Sequence, residues 1–300
     1  MPLTHLSASS PLSRRRLLML AGLGGAGVLA ACGDDSSRAA SGPTSTSSAT
    51  SSSAAPSTSA ASTSSVPSTV ASTSSVAAPS STTAGSGDLT ATPSETGGPF
   101  PADGSNDNGN GQVANILADA RSVRSDIRAD LDGTNVQAGV PFSLTTKVVE
   151  RASGAPLAGA AVYIWHCSAA GEYSEYDSPM LGGDFTARSY LRGVQVTDAT
   201  GAVTFRTILP GRYQGRAFHI HFEVYADSSY GTKRLTSQMA MDEKLVDSLY
   251  SAAGAGYAAA LGNETTNAED NVFADGVDHQ LLTVTGDVTK GLTATFTAVV

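Results

Sequence analysis

Between Ala39 and Gly87 the chain has no charged and no aromatic residue. Ser, Thr, Ala, Val and Gly make up the stretch, with Pro43, Pro56, Pro67 and Pro79. Ordering a residue costs about 1–2 kcal/mol of backbone entropy, and nothing here buries enough surface to offset it. The spacer, residues 32–87, is therefore expected to stay unfolded, and the fold is confined to residues 88–300, a length that suits one domain with a full core. As a flexible tether the spacer would span roughly 40 Å root-mean-square. Its Ser, Thr and Pro content also fits a glycosylated stalk, by composition alone.

Residues 1–31 read as an export leader. Arg14 and Arg15 followed by Leu17 and Leu18 resemble a twin-arginine signal. The apolar run that follows is too short and glycine-rich for a membrane span. Leu29-Ala30-Ala31-Cys32 looks like a bacterial lipobox, which makes Cys32 the expected lipidation site and the protein an exported one, anchored by lipid at the cell surface or the periplasmic side of a membrane. The leader holds three of the 18 Lys and Arg and none of the 27 acids, so without it the net charge moves from −9 to about −12. An acidic surface of this kind argues against nucleic acid as a partner. Cys32 and Cys167 are the two cysteines, which rules out a disulfide framework and a cysteine-built zinc or iron–sulfur site.

From Val140 onward short β-rich runs alternate with turns. Strands are expected over residues 142–149, 161–165, 218–225, 234–241, 280–285 and 292–299, with residues 194–208 forming a hairpin about a turn at 198–201. Leu245, Leu249 and Tyr250 recur at helical spacing and predict a helix over 242–252. Residues 88–132, rich in Gly, Asp, Asn and Pro, are expected to wrap the domain as loop, with a short helix at 113–121. The predicted class is all-β, a single β-sandwich with long wrapping loops and one or two short helices.

The sharpest chemical signal is His219-Ile220-His221. Strand side chains alternate, so the two imidazoles share one face while Phe218, Ile220, Phe222 and Val224 take the core face. Two imidazoles side by side can reach one metal ion, although a pair of surface histidines would look the same. Glu223 continues the alternation and offers a two-His, one-carboxylate site, but it lies a further ~7 Å along the strand. His166 reads as a packed strand histidine and Cys167 as a small buried hydrophobe. Asp177, Asp184 and His279 read as surface or loop residues.

Around that pair stand Trp165 through Gly171-Glu172-Tyr173, then Thr207-Ile208-Leu209-Pro210-Gly211-Arg212-Tyr213, then Arg216, His219-Ile220-His221-Phe222 and Leu235-Thr236-Ser237-Gln238-Met239. With Thr92 through Phe100 and Arg124-Ser125-Asp126-Ile127, this set resembles the intradiol ring-cleavage dioxygenases, the catechol and protocatechuate 3,4-dioxygenase type, over roughly residues 89–250. Six positions separate Tyr213 from His219, a shorter spacing than is usual there, and Gly97 stands where an acidic residue is common.

The resemblance implies a non-haem Fe(III) held by Tyr173, Tyr213, His219 and His221, with Tyr176 the one competitor for the first phenolate. It implies Tyr213 as the displaceable ligand and base, Tyr173 as the permanent phenolate, and Arg216 and Gln238 as the groups that stabilise the substrate anion. The substrates it implies are a small aromatic ortho-diol and O2, and the product a muconate-type diacid. It also implies a hydroxide completing the shell: two phenolates and a hydroxide balance the charge of a ferric ion and leave it a strong Lewis acid. A compact catechol is expected rather than a carboxylated one, because no second basic residue near the motifs is read as available to pair a carboxylate. Two other readings stand beside this one: a surface β-sandwich binding module with a vestigial metal site, and a cupin-like metal enzyme using His219, His221 and Glu223.

Overall fold

The computed structural model describes residues 89–300. The leader, Cys32 and the spacer lie outside the described residues. In chain order the strands are β1 (Asp103–Asp107), β2 (Val113–Asn115), β3 (Pro141–Val149), β4 (Ala161–Trp165), β5 (Asp177–Ser178), β6 (Gly183–Asp184), β7 (Arg192–Val196), β8 (Ala202–Ile208), β9 (Ile220–Tyr225) and β10 (Lys233–Met239). Helices α1 (Glu243–Ala253) and α2 (Ala258–Leu261) follow, then β11 (Thr283–Asp287) and β12 (Gly291–Val299).

Two four-stranded sheets carry the fold, in the orders β10-β9-β4-β7 and β11-β12-β3-β8. Every pairing in them is antiparallel except β12 with β3. The sheets face each other through alternate apolar residues, as in a β-sandwich. Val162, Ile164, Ile220, Phe222 and Val224 meet Phe142, Leu144, Phe205, Ala294 and Phe296 in one buried cluster, with Phe222 and Phe296 in edge contact at 5.4 Å.

The outer faces differ. On the second sheet, β12 alternates buried and exposed residues. On the first sheet every residue of β4 and β9 is buried. Its outer face carries Ala161, Tyr163, Trp165, Val194 and Tyr225, which pack under loop residues Phe100, Ile116, Tyr173, Tyr176 and Tyr213. The wrapping loops thus close a second, aromatic layer over one sheet, and that layer gives polar side chains a dry place to converge.

Several expectations need correction. Residues 113–121 do not form a helix; β2 passes into two single 3₁₀ turns, Ile116–Ala118 and Ala120–Ser122. Asn115 caps nothing and the Asp119 carboxylate binds the Arg121 N–H, so helical hydrogen bonding restarts instead of propagating. Residues 194–208 do not form a hairpin, because β7 pairs with β4 in one sheet and β8 with β3 in the other. The 198–201 turn crosses between sheets, since each strand finds a partner of opposite apolar facing. The final hairpin starts at Thr283 rather than at residue 280; Gln280 is held out of it by bonds from its Nε2 to Gln238 O and Glu95. The ribbons β1–β2 and β5–β6 carry no apolar alternation that would announce them. The helix near residue 242 is borne out as α1, with the Asp242 carboxylate accepting the Leu245 N–H. Among the described residues no helix is long and apolar enough to cross a membrane.

Candidate metal centre

Strand register lays out the floor of the site. Gln238 on β10 sits opposite His221 on β9, His221 opposite Trp165 on β4, and Trp165 opposite Arg192 on β7. Directly opposed residues share a face, so this row crosses the covered side of the sheet. The His221 ring lies flat on Trp165, with centroids 4.8 Å apart and planes 3° apart. Gly98 passes close to the Cε1–Nε2 edge of the ring. Its φ is +70°, and a Cβ there would come within 3.2 Å of His221 Cε1, so glycine suits both the conformation and the space.

Loops supply the other donors. Tyr173 follows the turn after β4 and Tyr213 the turn after β8. The turns pack backbone to backbone: a Cβ at Gly211 would meet Ala169 O at 2.4 Å, so a glycine here is what lets the two tyrosines approach. The rings of Tyr173 and Tyr213 are 5.6 Å apart, Tyr213 and His219 5.6 Å, His219 and His221 4.8 Å, and Tyr173 and His221 6.2 Å. All four side chains are buried.

Hydrogen bonding sets which atoms are free. His219 Nδ1 lies 2.8 Å from Ala217 O and must carry the proton to donate there, which leaves the Nε2 lone pair facing the Tyr173 hydroxyl at 3.0 Å. His221 Nδ1 is buried without a partner. Burial drives both imidazoles well below the usual histidine range, so both are neutral donors. Burial likewise holds the Tyr173 phenol well above 10 and raises that of Tyr213, against which the nearby Arg216 charge works. Two neutral imidazoles and two phenols on converging rings, with one buried nitrogen lacking a partner, are a fitting donor set for a single transition-metal ion.

Arg216 and Gln238 also reach this place. Arg216 Nη2 donates to Gln238 Oε1 at 2.6 Å, and Gln238 Nε2 donates to Thr96 O at 2.8 Å. Arg216 also engages the Tyr213 side chain. A surface cleft of about 390 Å³ is walled by Gly171, Leu181, Arg212, Tyr213, Ala259 and Asn263 among others.

Other residues are placed elsewhere. The Tyr176 hydroxyl donates to Asn106 Oδ1 at 2.6 Å and accepts the Ala102 N–H at 2.7 Å, so it ties the opening loop down. Glu223 does not join the two histidines. Its carboxylate is taken by Lys233, Tyr225 and Thr236, and among the described residues no three His, Cys, Asp or Glu side chains gather to hold a metal. His166 is packed as expected, with Nδ1 at Cys167 O and Nε2 at Thr207, and burial pushes it down to about 4. The buried Cys167 thiol is pushed up to about 12. His279 is exposed, and Asp177 and Asp184 lie in the β5–β6 ribbon.

Three participants went unseen in the sequence. Asp270 pairs with Arg216, and Asn263 Nδ2 holds both Tyr213 O and Arg216 O. Both lie beyond α1 in segments without strand or motif signal. Arg212 is the second basic residue beside the site; it is bound to Asp247 and Asn263 O and stacked on Tyr250. Its adjacency to Tyr213 was the available signal.

The family model described as "Dioxygenase" matches residues 116–278. The chain is similar to catechol 1,2-dioxygenase 1 of Acinetobacter lwoffii, 35% identical over 103 residues that cover 28% of this chain and 31% of that protein. It is 33% identical over 125 residues to the protocatechuate 3,4-dioxygenase beta chain of Burkholderia cepacia, covering 37% of this chain and 50% of that one. Among solved structures, an intradiol ring-cleavage dioxygenase from Tetranychus urticae aligns with a TM-score of 0.50 and 26% identity, over 59% of this chain and 85% of that one. The matches thus span about a third to a half of the curated relatives' own length.

Proposed function

Because this chain belongs to the intradiol ring-cleavage dioxygenases, we propose that it opens the ring of a small catechol-type ortho-diol between the two hydroxyl-bearing carbons, taking up O2 and releasing a muconate-type diacid. The observation that carries the proposal is the convergence of four buried rings, with the Tyr173 hydroxyl 3.0 Å from a His219 Nε2 whose partner nitrogen is already committed. Tyr173, Tyr213, His219 and His221 are the residues that would hold a ferric ion, which when bound would supply the Lewis acidity that makes the diol reactive toward O2.

The chain's own groups do the rest. Tyr213, one of the residues that wall the cleft, would take a diol proton on its Oη. Arg216 Nη2, held on Gln238 Oε1, puts a fixed positive charge beside Tyr213 that favours an anionic substrate against the net acidic charge of the chain. Phe100, in ring contact with Tyr173, Tyr176 and Tyr213, and Trp165 under His221 exclude water from the donors.

The visible spectrum of the iron-loaded protein tests the ligand set, since ferric phenolates absorb there and a zinc site or a bare sandwich does not. Oxygen uptake with catechol, hydroxyquinol and protocatechuate, with product identification, tests the reaction. One O2 per ring and a muconate-type diacid are expected. A semialdehyde product, or no uptake with any ortho-diol in an iron-loaded sample, overturns the reading. The export signal and the lipid anchor at Cys32 belong to the same proposal, since a tethered domain on a long spacer would meet its substrate outside the cell.

A further inference from the structure

Asp270 is completely buried, and so is nearly all of the Arg216 side chain it pairs with. Arg216 Nε lies 2.9 and 2.8 Å from the two Asp270 oxygens. Burying a guanidinium is costly unless a charge of opposite sign and good geometry meets it, and Asp270 provides both. The same carboxylate does more. Its Oδ2 accepts the Ala217 N–H at 2.8 Å, and its Oδ1 accepts the Val272 N–H at 2.9 Å.

Each of the first two partners leads directly to the candidate site. From Arg216 the next bond runs to Gln238 Oε1 at 2.6 Å. From the Ala217 peptide the next bond is the one between Ala217 O and His219 Nδ1 at 2.8 Å, which fixes the histidine's tautomer. One carboxylate therefore sets the direction of a guanidinium and the orientation of a ligand imidazole. It sits on a loop outside both sheets, secured by Asp270 N–H to Thr266 O at 3.0 Å and by Asn267 Nδ2 to Met241 O at 3.1 Å. Phe273 from the same loop lies under the Arg216 guanidinium at 5.9 Å.

We infer that Asp270 is a positioning residue for the ring-cleavage site, holding Arg216 toward the substrate and locking His219 with Nε2 unprotonated. The inference rests on the proposed function for what Arg216 meets, and on geometry alone for His219. A carboxamide has one acceptor oxygen where the carboxylate has two, so Asp270→Asn cannot serve Arg216, Ala217 and Val272 together.

The test uses the full chain and Asp270→Asn, with Arg216→Gln and the double variant Arg216→Gln/Asp270→Asn completing a cycle. In the iron-loaded proteins, anaerobic titration with 4-nitrocatechol reads substrate-analogue affinity. Asp270→Asn is expected to keep its iron, to bind the analogue about tenfold more weakly, and to lose a larger factor in kcat. In the Arg216→Gln background the same change is expected to alter analogue affinity less than about twofold, because the guanidinium it positioned is gone. In the metal-free proteins, ¹⁵N-histidine spectra read the His219 tautomer, assigned by loss of its signals in His219→Gln. The wild type should show a single Nδ1–H form and Asp270→Asn a mixture. A variant that melts lower yet keeps wild-type analogue affinity, kcat/KM and tautomer overturns the inference and leaves Asp270 a purely structural ion-pair partner. If Asp270→Asn does not fold, Asp270→Glu, which keeps the charge but displaces it by one methylene, takes its place with the same expected directions. If the wild type binds no ortho-diol, the ring-cleavage reading falls, and the tautomer spectra still decide the role of Asp270.

Discussion

At the scale of single residues, the three buried tyrosines near the site separate by what their hydroxyls touch. Tyr173 faces His219 Nε2, Tyr213 is next to Arg216 and the cleft, and Tyr176 is spent on Asn106 and Ala102. Tyr213→Phe should therefore retain iron and lose about 10²-fold or more in turnover, the usual scale for removing a positioned base. Tyr173→Phe should lose iron, and Tyr176→Phe should keep both iron and colour; metal analysis beside the visible spectrum reads all three. Bleaching by Tyr176→Phe would transfer the ligand role to it. His166 makes a pH prediction. Burial holds it at about 4 in the folded chain, below the usual value near 6.5. The unfolded chain therefore takes up the proton first as pH falls. The stability involved is fully present above about pH 6.5 and is lost between there and pH 4, at most about 3 kcal/mol. Urea unfolding of the metal-free domain from pH 7.5 to 4.5 should show a steeper loss in the wild type than in His166→Gln, and equal slopes would count against it.

Secondary-structure elements were legible where apolar alternation or a cap marks them. β3, β4, β8, β9 and β12 all fall on β-branched or aromatic runs, and α1 begins after the Asp242 cap. Elements held by polar backbone geometry, β1, β2, β5 and β6, left no periodic trace. Strand partners were not legible either: Asp198 to Gly201 is a good turn in either topology, and only the facing of Val203 and Phe205 into the inter-sheet cluster sends β8 to the other sheet. The elements predict their own costs. Phe222→Ala, at the point where the two sheets touch through Phe296, should destabilise the domain by about 3–5 kcal/mol in chemical unfolding. Asp242→Ala should cost about 1 kcal/mol by loss of the α1 cap, with little change at the site.

Across the whole molecule, one sheet is buried on both faces and the other on one. That asymmetry follows from long loops that all fold to the same side, bringing residues 96–102, 168–176, 211–217 and 263–273 over a single sheet face. A polar cluster in such a layer is dry and electrostatically strong, as the proposed ionisation of an aromatic diol would require. The leader and spacer make their own prediction at this scale: Cys32→Ala should move the protein from the membrane fraction to the soluble one without changing turnover. Membrane retention of that variant would remove the lipid anchor from the proposal.

The sequence by itself determined the alternating strands, the placing of His219 and His221 on the face away from the inter-sheet core, and the motif turns that carry Tyr173 and Tyr213. These depend on local periodicity and on residues needed within a few positions of each other. Only the tertiary structure decided that Tyr173 rather than Tyr176 meets His219, that Glu223 belongs to Lys233, Tyr225 and Thr236, and that Asp270 anchors Arg216. The reason is physical. A buried polar side chain takes whichever partner the packed chain brings within about 3 Å, and for Asp270 and Arg216 that partner lies 54 positions away, on a loop whose path no local pattern encodes.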